Sequence, residues 1–167
     1  MGRDKALLEI QGEPLWQRQL ATLRGLHPEQ LMLSGPPRSE ALLTLADEVQ
    51  NAGPLAGVAA GLHRCTSPLL VVLAVDLPQM TTSFLRSLLS FCRDGKGVVP
   101  RAPDGFEPLA AVYPLPAAAL AEEQLRRGDL SMQSLVESLL DHNLVAPRPI
   151  APNEMHFFKN LNHPADL

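Results

Sequence analysis

Asp76 closes the most hydrophobic run of the chain, in the stretch PLLVVLAVDLP. A run apolar at every position reads as a strand covered on both faces, and a carboxylate at its end sits where α/β sheets bind ligands. Such an aspartate suits a hard divalent cation such as Mg2+, held by one or two carboxylates and phosphate oxygens. It suits equally well the cap of a following helix, and position alone does not choose between them. Lys5, in MGRDKALLEI, offers a cation that could offset phosphate charge or simply be solvated. In NAGPLAG, Gly53 places a flexible backbone at a helix start, where unpaired N–H groups and the helix dipole attract anions. The plainer reading is a tight loop before a Pro-initiated helix. Asp47, upstream of Gly53, could reach a ribose or base, or remain a solvated loop acid. Asn160 and Asn162 stand two apart, so on a strand they share a face. Their amides could read a heterocycle edge or fasten a C-terminal turn.

Other chemistries lack their residues. Cys65 and Cys92 have neither metal nor redox spacing and read as buried thiols, and the five histidines form no HExxH pattern. No GxGxxG follows a strand, and no Ser-His-Asp or Cys-His arrangement is apparent. A net charge of −4 and 4% aromatic residues argue against a nucleic-acid partner. The longest aliphatic run, residues 69–75, is too short to span a bilayer. No basic segment leads into an apolar one at the start, so the reading is a cytoplasmic protein without a membrane partner.

These residues need a frame. Pro14 followed by Leu15, Trp16, Leu20 and Leu23 predicts a helix that Gly25 ends. QLMLS (30–34) reads as a short buried strand. In residues 53–65, Leu55, Val58, Ala59 and Leu62 repeat at helical spacing. Residues 81–91 read as a helix capped by Thr81 or Thr82, with Phe84, Leu85, Leu88 and Leu89 inward. GVV (97–99) and PLAAVY (108–113) read as strands around the loop PRAPDGFE. Helices follow at 117–127, ended by Gly128, and after Ser131; MHFFKNLN (155–162) reads as a last strand. The many prolines, including Pro147, Pro149 and Pro152, read as loop punctuation. The alternation predicts one α/β domain over residues 1–167 with a Rossmann-like, mostly parallel sheet flanked by helices.

Taken together and in order, MGRDKALLEIQGEPLWQRQL, GPLAG, VDLP, EPLAAVY and FKNLNHPADL resemble the molybdenum cofactor guanylyltransferases, MobA-like members of the nucleotidyltransferase superfamily. The resemblance runs from residue 1 to residue 167. It implies transfer of GMP from GTP to the terminal phosphate of molybdopterin, with Mg2+ as cofactor and pyrophosphate as product. By the same resemblance, Lys5 touches the nucleotide phosphates and Asp76 holds the metal. Asp47, upstream of the GPLAG that holds Gly53, contacts the nucleotide, and Ser34 falls near the nucleoside. Asn160 and Asn162 belong to the pterin side. The partners so implied are GTP, molybdopterin, and a molybdopterin-delivery protein or molybdoenzyme chaperone. Two rivals stand beside this reading: a molybdopterin cytidylyltransferase or other small-molecule nucleotidyltransferase, and a non-catalytic molybdopterin-binding or delivery protein.

The resemblance begins partway through a motif. Family members open with a hydrophobic strand and then LAGGxSxRMGxDK, of which Met1-Gly2 supplies the MG. The expectation is that Met1 is an internal methionine and that the natural chain starts about twenty residues earlier, a strand and a turn. Such a strand buries about four large apolar side chains at roughly 1.5–3 kcal/mol each, a large share of a total stability of about 5–15 kcal/mol. Full activity is therefore not expected of these 167 residues alone.

Overall fold

Local signals set most element ends. In the computed structural model, residues 4–39, 42–45 and 53–161 are described. Asp4 caps a 3-10 turn over Lys5–Leu7, its carboxylate accepting from the Ala6 N–H at 3.0 Å. The strands β1 (Glu9–Ile10) and β2 (Glu13–Pro14) form a small hairpin turned by Gln11 and Gly12, both at positive φ. Pro14 then leads into α1 (Leu15–Arg24), which Gly25 ends. β3 (Met32–Ser34) pairs in parallel with β4 (Leu43–Leu45), and α2 (Gly53–Arg64) precedes β5 (Leu69–Leu73).

Thr81 caps α3 (Thr82–Phe91), its hydroxyl oxygen accepting from the Phe84 N–H at 3.2 Å. β6 (Gly97–Ala102), β7 (Gly105–Phe106) and β8 (Ala110–Pro114) follow, so the expected PRAPDGFE loop is a hairpin turned at Pro103-Asp104. α4 (Ala117–Arg127) stops at Gly128, whose φ of +76° is the left-handed region glycine favours. Ser131 caps α5 (Met132–Asp141), after which come β9 (Val145–Pro149) and a 3-10 helix over Pro152–Phe158.

The main sheet runs β5–β8–β6–β7, with β9 on β6. Alternation along its strands divides the core in two. Val99, Ala111 and Tyr113 face α2, α4 and α5, while Val98, Ala110 and Val112 face α3. The chain is thus an α/β layered fold. Its pairing differs from the expected mostly parallel sheet: β8 lies antiparallel between β5 and β6, whereas β6–β9 and β3–β4 are parallel.

Four further expectations change. The apolar β5 is not covered on both faces; all five of its residues are half-buried. Its far edge does not pair with β3, and both strands line a cleft of about 300 Å³ between α1 and α2. The segment read as a last strand is instead the Pro152–Phe158 turn, because Pro152 starts it and Glu154 accepts from the Ala151 N–H at 3.0 Å. Phe157 and Phe158 then pack on Phe84, with ring centroids 5.0 and 5.4 Å away. Pro147 and Pro149, read as loop residues, lie in the edge strand β9. Cys65 and Cys92 are half-buried rather than buried, and unpaired.

Candidate active site

Asp76 follows β5 and opens the turn that Pro78 carries away from the sheet. Thr81, not Asp76, caps the next helix, so the capping alternative falls away. The turn is held by its backbone. The Leu161 N–H donates to the Asp76 carbonyl at 2.9 Å, and the Met80 N–H donates to the Leu77 carbonyl at 3.0 Å. Gln19 Nε2, reaching from α1, donates to the same Leu77 carbonyl at 2.6 Å.

A backbone fastened this way leaves the Asp76 carboxylate projecting at the sheet edge, where Lys5 Nζ donates to its Oδ2 at 3.2 Å. The Lys5 and Asp76 side chains are 40% and 25% exposed. A solvent-accessible pair of this kind adds little to stability, and both groups stay within reach of a ligand. Asp4, the other charge beside Lys5, is engaged elsewhere. Arg38 donates to it at 2.5 Å and holds its carboxyl below the usual range, and the Ala6 N–H adds to the effect.

The other candidate residues are placed unequally. Ser34 ends β3, exposed, against α2; a Cβ at Gly57 would stand 2.3 Å from Ser34 Oγ, so only glycine permits this approach. Ser34 lines the β3–β5 cleft together with Val75, the neighbour of Asp76. Gly53 begins α2 with a φ of +62° and open space around it. Asn160 is exposed beside Leu161, whose N–H grips Asp76, but it lies in an irregular stretch rather than on a strand. Asp47 and Asn162 lie outside the described residues, so the shared face expected of Asn160 and Asn162 does not apply.

Among the described residues, the carboxylate a metal would find here is that of Asp76. Among the described residues no group of three His, Cys, Asp or Glu converges. One carboxylate fits a cation that keeps waters and takes substrate phosphates, as Mg2+ does, and does not fit a closed zinc site. The EPLAAVY stretch supports the same edge: the Ala74 N–H donates to the Leu109 carbonyl at 2.7 Å, and Tyr113 Oη donates to the Pro108 carbonyl at 2.7 Å. Burial pushes the Tyr113 phenol up, and burial, with Asp104 nearby, pushes the Glu107 carboxyl up.

Gln19 is the residue that pattern reading passes over. It is 5% exposed and falls four after Leu15 on the inward face of α1. A polar residue inside an apolar stripe is the signal that would have found it.

Comparison with known proteins adds to this geometry. The profile of the MobA-like NTP transferase domain matches residues 1–143. A probable molybdenum cofactor guanylyltransferase of Opitutus terrae is 42% identical over 173 residues, covering 99% of this chain and 86% of its own. A probable molybdenum cofactor guanylyltransferase of Deinococcus radiodurans is 33% identical, covering 99% of this chain and 84% of its own. Among solved structures, molybdopterin-guanine dinucleotide biosynthesis protein A of Archaeoglobus fulgidus superposes with a TM-score of 0.75 at 23% identity, over 99% of this chain and 87% of its own. The 2-C-methyl-D-erythritol 4-phosphate cytidylyltransferase of Thermus thermophilus gives 0.70 at 20% identity, over 97% and 89%. Both structures share the fold of this chain.

Proposed function

The chain belongs to the family of MobA-like NTP transferase domains, and on that premise we propose that it transfers GMP from GTP to the terminal phosphate of molybdopterin. It is a nucleotidyltransferase of molybdenum cofactor biosynthesis. The observation that supports this site is the half-buried Lys5–Asp76 pair at the edge of the sheet.

In this reading an oxygen of the pterin phosphate attacks the α-phosphorus of GTP. The new P–O bond forms as the bond to the bridging oxygen breaks, and that electron pair leaves with pyrophosphate. The nucleophile is already ionised, so positioning and electrostatics supply the acceleration, and no residue has to act as a general base. Asp76 would hold Mg2+, which when bound spreads the negative charge of the phosphates. Lys5 turns its ammonium toward the same phosphates. The hydrogen bonds that the Gln19 side chain and the Met80 and Leu161 N–H groups donate to the turn's carbonyls keep Asp76 aimed without touching the nucleotide. Ser34, Gly53 and Asp47 serve the nucleotide side, and Asn160 and Asn162 the pterin side.

The test is turnover of molybdopterin with GTP or CTP, followed by pyrophosphate release. The account expects release with GTP that needs molybdopterin and a divalent cation. Faster turnover with CTP, or release independent of the pterin, would replace it.

A further inference from the structure

The backbone between β7 and β8 is held at successive residues, and one side chain on it is not. The Glu107 N–H donates to the Pro100 carbonyl at 2.9 Å, and the Ala110 N–H donates to the Glu107 carbonyl at 3.2 Å. Tyr113 Oη donates to the Pro108 carbonyl, and the Ala74 N–H to that of Leu109, both at 2.7 Å. Ala74 stands two residues before Asp76, and Leu109 two after Glu107. In the antiparallel β5–β8 pair this bond sets both acids at one end of the sheet. Glu107 is half-buried, and among the described residues no hydrogen bond or ion pair engages its carboxylate.

A half-buried carboxylate without a partner costs stability. Arg101 does not offset it. That residue pairs in register with Phe106 and lies over its ring, 5.3 Å from the centroid, so alternation places the cation on the face away from Glu107. The charge Glu107 does feel is a second acid, Asp104, which with burial pushes its carboxyl up. A phosphate would be repelled here. A metal shared with Asp76 would turn both carboxylates to one point, but Asp76 meets Lys5 at 3.2 Å instead. Two acceptor oxygens are answered by two N–H donors side by side. In the reaction proposed above, guanine and the pterin each carry such a pair, on a 2-amino-4-oxopyrimidine edge. Ser34, on the nucleotide side, lies across the cleft beyond one edge of β5, whereas Glu107 lies toward β8 on the other.

We propose that the Glu107 carboxylate reads the acceptor, taking hydrogen bonds from the ring N–H and the 2-amino group of the pterin, and so determines acceptor specificity. The identity of this ligand rests on the transfer reading above. The fold tolerates an unsatisfied carboxylate at the edge that binds substrate, and the pterin supplies the missing donors.

The experiment uses the 167-residue chain with Mg2+ and two probes, 6-hydroxymethylpterin monophosphate and its lumazine counterpart, in which an oxo group replaces the 2-amino group. Titration calorimetry should show the pterin binding at least about tenfold more tightly, because the 2-oxo group turns an acceptor toward the carboxylate. Glu107→Gln, whose amide can donate to that oxo group, should bring the two affinities within about threefold of each other. Its affinity for GTP and for the divalent cation should stay unchanged, and its melting temperature should hold or rise. Should that variant misfold, Glu107→Ala supports the same comparison. Equal binding of the two probes by the unaltered chain, no binding of either, or a pterin preference that survives substitution of Glu107 would overturn the proposal. So would a Glu107→Gln variant altered in GTP or cation binding alone. Pyrophosphate release independent of the pterin would instead overturn the transfer reading, and the preference between the probes would stand.

Discussion

Lys5 and Asp76 carry little structural burden, and that makes their chemistry testable. Asp76→Asn keeps the shape of the side chain and the backbone bonds of its turn. It should lower the transfer rate about a hundredfold or more, raise the divalent cation concentration needed, and leave the melting temperature nearly unchanged. Metal titrations of the two proteins check this. Gln19→Leu acts through the turn instead. The Leu77 carbonyl keeps its bond from Met80, so the loss should be near the lower end of the usual range, about 1 kcal/mol in urea unfolding, accompanied by a slower transfer rate. Asp76 and Lys5 could be singled out as candidates because each announces itself locally, one by ending an apolar strand and the other within a short charged motif, and the fold brings the two together. Gln19 was not, since its partner lies 58 residues away and only the folded packing brings the two together. The Arg38–Asp4 ion pair was likewise invisible, since 34 residues separate the two.

Elements were read well where their signals are local and poorly where partners decide. Gly128 marks a helix end by its left-handed backbone, and Thr81 and Ser131 mark helix starts by hydroxyl oxygens that accept from the Phe84 and Ser134 N–H groups. Gly128→Ala should accordingly cost about 1 kcal/mol in a denaturant melt, because alanine resists the +76° φ. The prolines of β9 misled because a strand can hold them on its edge. Ile150 N–H donates to the Arg101 carbonyl at 3.0 Å, so by alternation Pro147 and Pro149 turn their missing donors away from β6. Arg148, between them, donates to Glu154 at 2.7 and 2.9 Å and ties β9 to the turn that leads to Leu161. The Arg148 hydrogen bonds hold the Glu154 carboxyl below its ordinary value of 4.5, assisted by the Ala151 N–H. A lowered folded value means this contribution is complete above about pH 4.5 and drains away as pH falls through the folded value. Unfolding measured from pH 6 down to about pH 3 should show that loss, and Glu154→Gln should flatten the acid limb while lowering stability at neutral pH.

At the scale of the whole molecule, the layered sheet gathers residues far apart in sequence. Lys5 and Asp76 meet directly, Ser34 shares a cleft with the neighbour of Asp76, and Asn160 adjoins the residue that grips it. The α/β class followed from alternating elements, but the antiparallel course of β8 did not, because strand direction depends on which edge a returning strand finds. Nor was the half-covered state of β5 legible, since its composition is that of a fully covered strand. Among the described residues no helix is long and apolar enough to cross a membrane. The most direct test of the account is a crystal grown with GTP and Mn2+ as an anomalous stand-in for Mg2+. The account expects an anomalous peak at about 2.1 Å from an Asp76 oxygen, shared with the nucleotide phosphates, with Lys5 turned toward them. A cation bound to other residues, with Lys5 and Asp76 still paired beside a bound nucleotide, would contradict it.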